Sequence, residues 1–392
     1  MISVKKIVAG LSLVFTFTGL FSQNDNTVLM AYNKSSQLEK KKDYAGALEA
    51  MKGIDNSSYE ANLRMGWLSY KAGLHAAALG YYENAVKQMP NSIEAKYGYN
   101  YPAYELGNMD KVIEQYKKIL EIDPQNTQVI FNLGSIYYYK HDLKAALPYF
   151  EKMVALYPFD YDGLSMLAWT NLKLDKKAEA KALFEKVLLN VPGDQAAMDE
   201  LSHIKDGAVN QDQLYLAFMK NYEFLNKQDY KSAIAVLKEV YDSTSYELNA
   251  RLGWLNYAAG LHKESIAYYK RAINLKPKAL EPKFGIDYPL AALGNTNQLI
   301  EQYQAILMID PQNTIANYRL GYISYEKKDY PEALKYFGKL VEHYPFGYDG
   351  LLMYAWANFR TGKTAEAKAL FNKVLWISPG DKSALEGLSL IK

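Results

Sequence analysis

Apolar positions along the chain fall into two regimes. Ile7 to Phe21 is an uncharged apolar run of 15 residues behind Lys5 and Lys6. Spanning a bilayer as a helix takes about 20 apolar residues, and here polar chain, Gln23-Asn24-Asp25-Asn26, follows at once. A basic start, an apolar middle and a polar exit predict an export signal over 1–22, cut near Ser22 or Gln23. Its style resembles bacterial export signals. After it no apolar stretch is long enough to cross a membrane, so the chain without its signal is not expected to be an integral membrane protein. The remaining pattern is of amphipathic helices, taken two at a time with a turn between them.

Prolines punctuate that pattern at a fixed interval. Pro90, Pro124, Pro158 and Pro192 lie 34 residues apart, and so do Pro277, Pro311, Pro345 and Pro379. A proline stops the helix before it and pre-sets the turn. Small residues recur upstream: Gly66, Gly73, Ala78 and Ala85 before Pro90, Gly134 and Ala146 before Pro158, Gly321 and Ala333 before Pro345. They let the two helices of a unit approach closely. An aromatic residue follows the central alanine by four, at Tyr82, Phe150 and Phe337. This pattern resembles the tetratricopeptide repeat (TPR) family over about 30–392. The resemblance implies an all-α solenoid, a right-handed superhelix of helix-turn-helix repeats. One hairpin cannot bury its apolar face alone, so neighbours must stack.

A longer period overlies the first. A shift of 187 residues carries 59–205 onto 246–392. Arg64-Met-Gly-Trp-Leu68 becomes Arg251-Leu-Gly-Trp-Leu255, and Tyr157-Pro-Phe-Asp-Tyr-Asp-Gly163 becomes Tyr344-Pro-Phe-Gly-Tyr-Asp-Gly350. We therefore expect two duplicated halves, 28–205 and 214–392, each of about five repeats plus a short capping helix. The segment 206–213 would link them.

By the resemblance, the first helix of each repeat lines the concave face. Its positions carry Trp67, Tyr70, Tyr97, Tyr101, Tyr104, Tyr138 and Trp169 in the first half. In the second they carry Trp254, Tyr257, Phe284, Tyr288, Tyr325 and Trp356. Large rings with polar tips suit binding of an extended protein or peptide partner. The same rings equally suit packing between adjacent helices, and an aromatic stripe also suits sugar rings, which leaves a glycan as the alternative ligand. Arg64 and Arg251 each follow a glutamate, Glu60 and Glu247, by four residues. That spacing predicts a structural ion pair, with a ligand carboxylate as the other possible contact. Pro102 and Pro289 fall inside first helices and predict a kink there. They would free the carbonyls of Gly98 and Gly285.

Composition narrows the chemistry. The chain has 45 basic and 43 acidic side chains, and losing Lys5 and Lys6 with the signal would leave 43 of each. A net charge near zero argues against a nucleic-acid partner, which demands phosphate neutralisation. With no Cys among 392 residues there is no disulfide, thiolate nucleophile or thiolate metal site. Of five His only His75 and His262 correspond between halves. No HExxH spacing, phosphate loop or nucleophile elbow is present. No catalytic residue, metal or cofactor is expected. The reading is an exported, non-enzymatic scaffold or adaptor of the periplasm or cell envelope.

Overall fold

The computed structural model describes residues 23–54, 57–204 and 213–391. The predicted signal, 1–22, and residues 206–212 of the predicted linker lie outside them. Among the described residues the chain is all-helical, without strands. Helices α1 (Gln23–Lys40) and α2 (Tyr44–Ala50) make the first pair. Four more follow: α3 (Tyr59–Lys71) with α4 (His75–Gln88), α5 (Ile93–Glu105) with α6 (Met109–Ile122), α7 (Thr127–Tyr139) with α8 (Leu143–Leu156), and α9 (Tyr161–Lys173) with α10 (Lys177–Asn190). The short α11 (Gln195–His203) comes next. The order then recurs as α12 (Gln213–Asn226) with α13 (Tyr230–Glu239), and α14 (Tyr246–Ala258) with α15 (His262–Leu275). After α16 (Glu281–Gly285) and α17 (Asp287–Ala292) come α18 (Thr296–Ile309), α19 (Thr314–Glu326), α20 (Tyr330–His343), α21 (Tyr348–Arg360), α22 (Thr364–Ile377) and α23 (Lys382–Leu390).

A side-chain cap opens most first helices, two residues after the closing proline in every case but Ser58 and Ser245, where no proline precedes. Ser58, Ser92, Asn126, Asp160 and Asp194 each accept the third helical amide of the following helix. Such a cap contributes about 1 kcal/mol. Ser245, Asn313 and Asp381 do the same in the second half. Ala279 stands where the next cap belongs and supplies no side-chain acceptor. Here the expected first helix is split into α16 and α17, with Pro282 in the first turn of α16 and Pro289 within α17. Pro102, by contrast, lies inside a continuous α5. A missing cap alone does not split a helix, since α21 opens after Gly347 without a side-chain cap and is continuous; what sets α16 and α17 apart from α5 is the additional proline, Pro282.

Within most pairs a fully buried alanine, such as Ala78, Ala146, Ala180, Ala333 or Ala367, sets the helix approach. The aromatic residue four positions on fills the space beside it. Phe150, Phe184, Phe337 and Phe371 are entirely buried, each stabilising by about 2–3 kcal/mol through surface removed from water. Tyr82 lies between two glycines: a Cβ at Gly66 would come to 3.0 Å of its ring and one at Gly98 to 2.1 Å. This close approach is the structural reason for Gly98, whose carbonyl had been the expected point of interest.

The array closes on itself. In chain order α10 packs on α12, and α22 packs on α1. At the second junction Trp376 of α22 stacks on Tyr32 of α1, ring centroids 5.4 Å apart and 16° from parallel. At the first, one core runs from Phe159 through Phe184 and Phe218 to Ala272.

Candidate interaction surface

The first helices α3, α5 and α7 present Trp67, Tyr70, Tyr97, Tyr101, Tyr104 and Tyr139 along one face. The rings are held in sequence. Tyr70 lies 6.2 Å from Trp67 and 5.6 Å from Tyr101 between centroids. Trp67 Nε1 donates to Glu39 Oε1 at 2.7 Å, and Tyr97 Oη donates to Asn126 Oδ1 at 2.8 Å. Two cavities open on this face. One, of about 470 Å³, lies among Tyr70, Tyr101, Tyr104, Tyr116, Asn132 and Tyr139. Its rings are open to solvent, with Tyr101 50%, Tyr104 60% and Tyr139 74% exposed. The other, of about 720 Å³, lies between Arg64, Trp67, Glu94, Tyr97 and Tyr101 and is walled on one side by Tyr344 and Phe346.

That wall comes from the other half of the chain. Phe346 N donates to Glu94 Oε2 at 3.0 Å, and Phe159 N donates to Glu281 Oε2 at 3.1 Å. Tyr59 Oη and Tyr246 Oη donate to the same two carboxylates at 3.1 and 2.9 Å. Lys373 pairs with Glu60 at 2.5 Å and Lys186 with Glu247 at 2.7 Å. Phe346 meets the Tyr32 ring edge-on at 6.3 Å, and Phe159 meets Phe218 at 6.1 Å. In the first three pairs of contacts every residue lies 187 positions from its counterpart. The turn Tyr-Pro-Phe of each half thus sits in the groove of the other. Asp123 and Asp310 lie close enough between the halves to influence each other's titration. Burial pushes both carboxyls upward. Burial also raises Glu94 to about 7, against the opposing pull of the Phe346 amide and Tyr59 hydroxyl. Glu281 is raised for the same reason.

Several expected site residues are located elsewhere. Tyr138 is 9% exposed and packs in the core under Lys173, whereas its neighbour Tyr139 is open. Trp356 is 8% exposed, meets Phe371 at 5.1 Å and donates to Ser383 Oγ at 2.8 Å. Trp169 packs against Phe184 at 5.2 Å, and Phe284 packs against the Leu280–Ile306 core. Tyr138 and Trp356 are packing residues, whereas Trp169 and Phe284 are half-buried, each with one side against a core. Tyr325 meets Tyr330 and accepts Arg360 Nε at 3.3 Å. Trp254, Tyr257 and Tyr288 stay on the open face: Tyr257 and Tyr288 are 5.4 Å apart, and Trp254 borders a smaller cavity of about 280 Å³ beside Phe159 and Glu281.

The two arginines are already engaged. Arg64 pairs with Glu39 at 2.5 Å and donates to Ser35 Oγ. Arg251 lies 5.5 Å over the Phe159 ring and donates to the Asn190 carbonyl. Burial lowers its guanidinium to about 10. The expected pairs four residues apart give way to cross-half pairs, since Glu60 and Glu247 are drawn to Lys373 and Lys186. The sequence reading also passed over Phe159, Phe346 and Trp376 as interface residues. The one signal for Phe159 and Phe346 was the repetition of Tyr-Pro-Phe at a 187-residue interval, and Trp376 had none.

The Tetratricopeptide repeat family model matches residues 63–127, 131–197, 221–279, 290–346 and 318–382, well over half of the chain. The chain is a tetratricopeptide repeat protein. It is 24% identical over 277 residues to TPR repeat-containing protein YpiA of Bacillus subtilis, covering 65% of this chain and 64% of that protein. It is 25% identical over 194 residues to anaphase-promoting complex subunit 7 of Arabidopsis thaliana, covering 47% of this chain and 34% of that one. The chain spans between about a third and two thirds of the length of the curated relatives it matches. Among solved structures, a tetratricopeptide repeat protein from Parabacteroides merdae covers 69% of the TPR chain with all of its own, at 15% identity and a TM-score of 0.39. MamA covers 46% with 96% of its own chain, at 17% identity and a TM-score of 0.38. Among the described residues of the TPR chain, no helix is long and apolar enough to cross a membrane and no group of three His, Cys, Asp or Glu could hold a metal ion.

Proposed function

We propose that this TPR protein is an exported, non-catalytic scaffold of the periplasm or cell envelope that binds an extended polypeptide along the open tyrosines of its first half. The observation that carries the reading is the trough around Tyr70, Tyr101, Tyr104 and Tyr139. Tyr101, Tyr104 and Tyr139 are solvent-exposed there, and the amide side chain of Asn132 lies beside them. Rigid rings with hydroxyl tips give contact area at small entropy cost, and side-chain amides can pair with a peptide backbone. The second half keeps Tyr288 but has Ala291 and Glu326 where the first has Tyr104 and Tyr139, so binding is assigned to the first half. Two relatives are named as parts of assemblies, anaphase-promoting complex subunit 7 and BBSome complex member BBS4 of Bos taurus, in keeping with a protein partner.

The test compares wild type with a Tyr101→Ala/Tyr104→Ala variant as baits in an envelope extract, with captured protein and glycan identified by mass spectrometry. A polypeptide retained by wild type and lost by the variant supports the scaffold reading. Glycan alone, lost in the same way, would transfer the trough to carbohydrate. Equal capture by both baits overturns the assignment of the trough. Export is checked separately by fractionation of the native source, where retention in the cytoplasm would refute it.

A further inference from the structure

The inner end of the concave face already holds a polypeptide, the chain's own Tyr344-Pro345-Phe346 turn. We propose that this groove recognises a Tyr-Pro-Phe turn in a partner protein, and that the internal turn is a resident competitor that such a partner displaces. The inference rests on reading the concave face as a polypeptide-binding surface, but it uses different residues from the tyrosine trough.

Three observations carry it. First, the arrangement is made twice. Glu94 takes the Phe346 amide and Glu281 takes the Phe159 amide, each with a tyrosine hydroxyl on the same carboxylate. A buried carboxylate aimed at one backbone N–H is a directional device, because leaving it unpaired costs more than an ordinary hydrogen bond returns. Second, ring and turn are read together. Phe346 packs against both the Leu63–Tyr82 and the Tyr32–Met65 clusters. The proline before it removes a competing donor and fixes the approach of the chain. Third, the two grooves are unequally filled. Beside Phe159 a cavity of about 280 Å³ remains, and beside Phe346 about 720 Å³. The first-half groove is therefore larger than its occupant. A partner that supplies the same turn and continues past it can fill the remaining space beside Trp67.

A resident competitor lowers apparent affinity by the fraction of molecules whose groove is vacant. The experiment uses the full chain and a dye-labelled peptide, Tyr-Pro-Phe-Gly-Tyr-Asp-Gly, read by fluorescence anisotropy. Phe346→Ala empties the ring site and is expected to tighten peptide binding about ten-fold or more over wild type. Glu94→Ala added to it should abolish the gain, and a peptide with Ala for Phe should not bind. A Tyr104→Ala/Tyr139→Ala variant, altered only in the tyrosine trough, should keep this peptide's affinity, so failure of the trough reading leaves this one standing. A Phe346→Ala protein of wild-type helicity that binds no tighter than wild type overturns the proposal. Should that variant lose helicity, hydrogen exchange on wild type decides: excess peptide is expected to accelerate exchange of the Phe346 amide, and unchanged exchange overturns the proposal.

Discussion

Gly98→Ala is the sharpest test of how these repeats pack. The added methyl would lie 2.1 Å from Cε1 of Tyr82. No real contact is that short, so the ring must move. It has nowhere to go, because Tyr82 is 3% exposed and its opposite face already meets the backbone at Gly66. Overpacking of this kind costs about 1–3 kcal/mol, partly offset by about 0.5–1 kcal/mol from replacing a helical glycine with alanine. A net loss of roughly 1–2 kcal/mol is expected from those two terms. Gly80 is the internal control. It is helical and exposed, with nothing within 4 Å of a new Cβ, so Gly80→Ala should stabilise by about 0.5–1 kcal/mol. Urea unfolding followed by far-ultraviolet circular dichroism compares the three proteins. In a Tyr82→Leu background, where the ring is gone, the cost of Gly98→Ala should largely vanish. If Gly98→Ala shifts the midpoint upward like Gly80→Ala, the packing argument is wrong.

Other consequences are equally direct. Trp356→Ala should cost about 3–5 kcal/mol of stability, since the ring fills core rather than contacting ligand; a midpoint within error of wild type would return it to the surface. Lys373→Ala strips the partner from the nearly buried Glu60 and should lower stability by about 1–3 kcal/mol, with faster limited proteolysis at the junction of α1 and α22. Unchanged cleavage would mean that the pair adds nothing to closure. Glu94 sets a pH dependence. Its folded value of about 7 stands above the ordinary 4.5, so its contribution is full below the lower figure and is lost as pH rises through the upper. Its neighbours are the Tyr59 hydroxyl, Glu60 and the Phe346 amide, none of which reverses that sign. Asp287, raised to about 7 by burial, acts in the same direction. The urea midpoint should therefore fall between about pH 4.5 and about pH 7, and Glu94→Gln should flatten the fall. A midpoint that rises over this range contradicts the assignment.

Local structure was legible in the chain because its causes are local. Proline, a capping side chain two residues on and a buried alanine fix helix ends and helix approach within a single 34-residue unit. The helices α3, α5, α7 and α9 accordingly start 34 residues apart. The concave face was legible only in part. Tyr138 and Tyr139 are adjacent, and which one faces solvent depends on the rotation of α7 against its neighbours, which sequence spacing leaves open by one residue. Glu60 and Arg64 have the spacing of a helical ion pair, yet each has a stronger partner far away in sequence. The contacts of Glu94 with Phe346 and of Tyr32 with Trp376 leave no local trace. They exist because two halves of like sequence present complementary surfaces to each other.

The closure of α22 onto α1 orders the events of synthesis. Glu94 receives the Phe346 amide only after 252 further residues have been made. At about 5–20 residues per second this is on the order of 10–50 s. The repeats from α3 to α10 can stack as they emerge, since each touches its neighbours. Glu60 and Glu94 must meanwhile keep their water, and the entropy of closing so long a loop is met in one late step. The first half of the molecule is thus complete in its helices well before it is complete in its contacts.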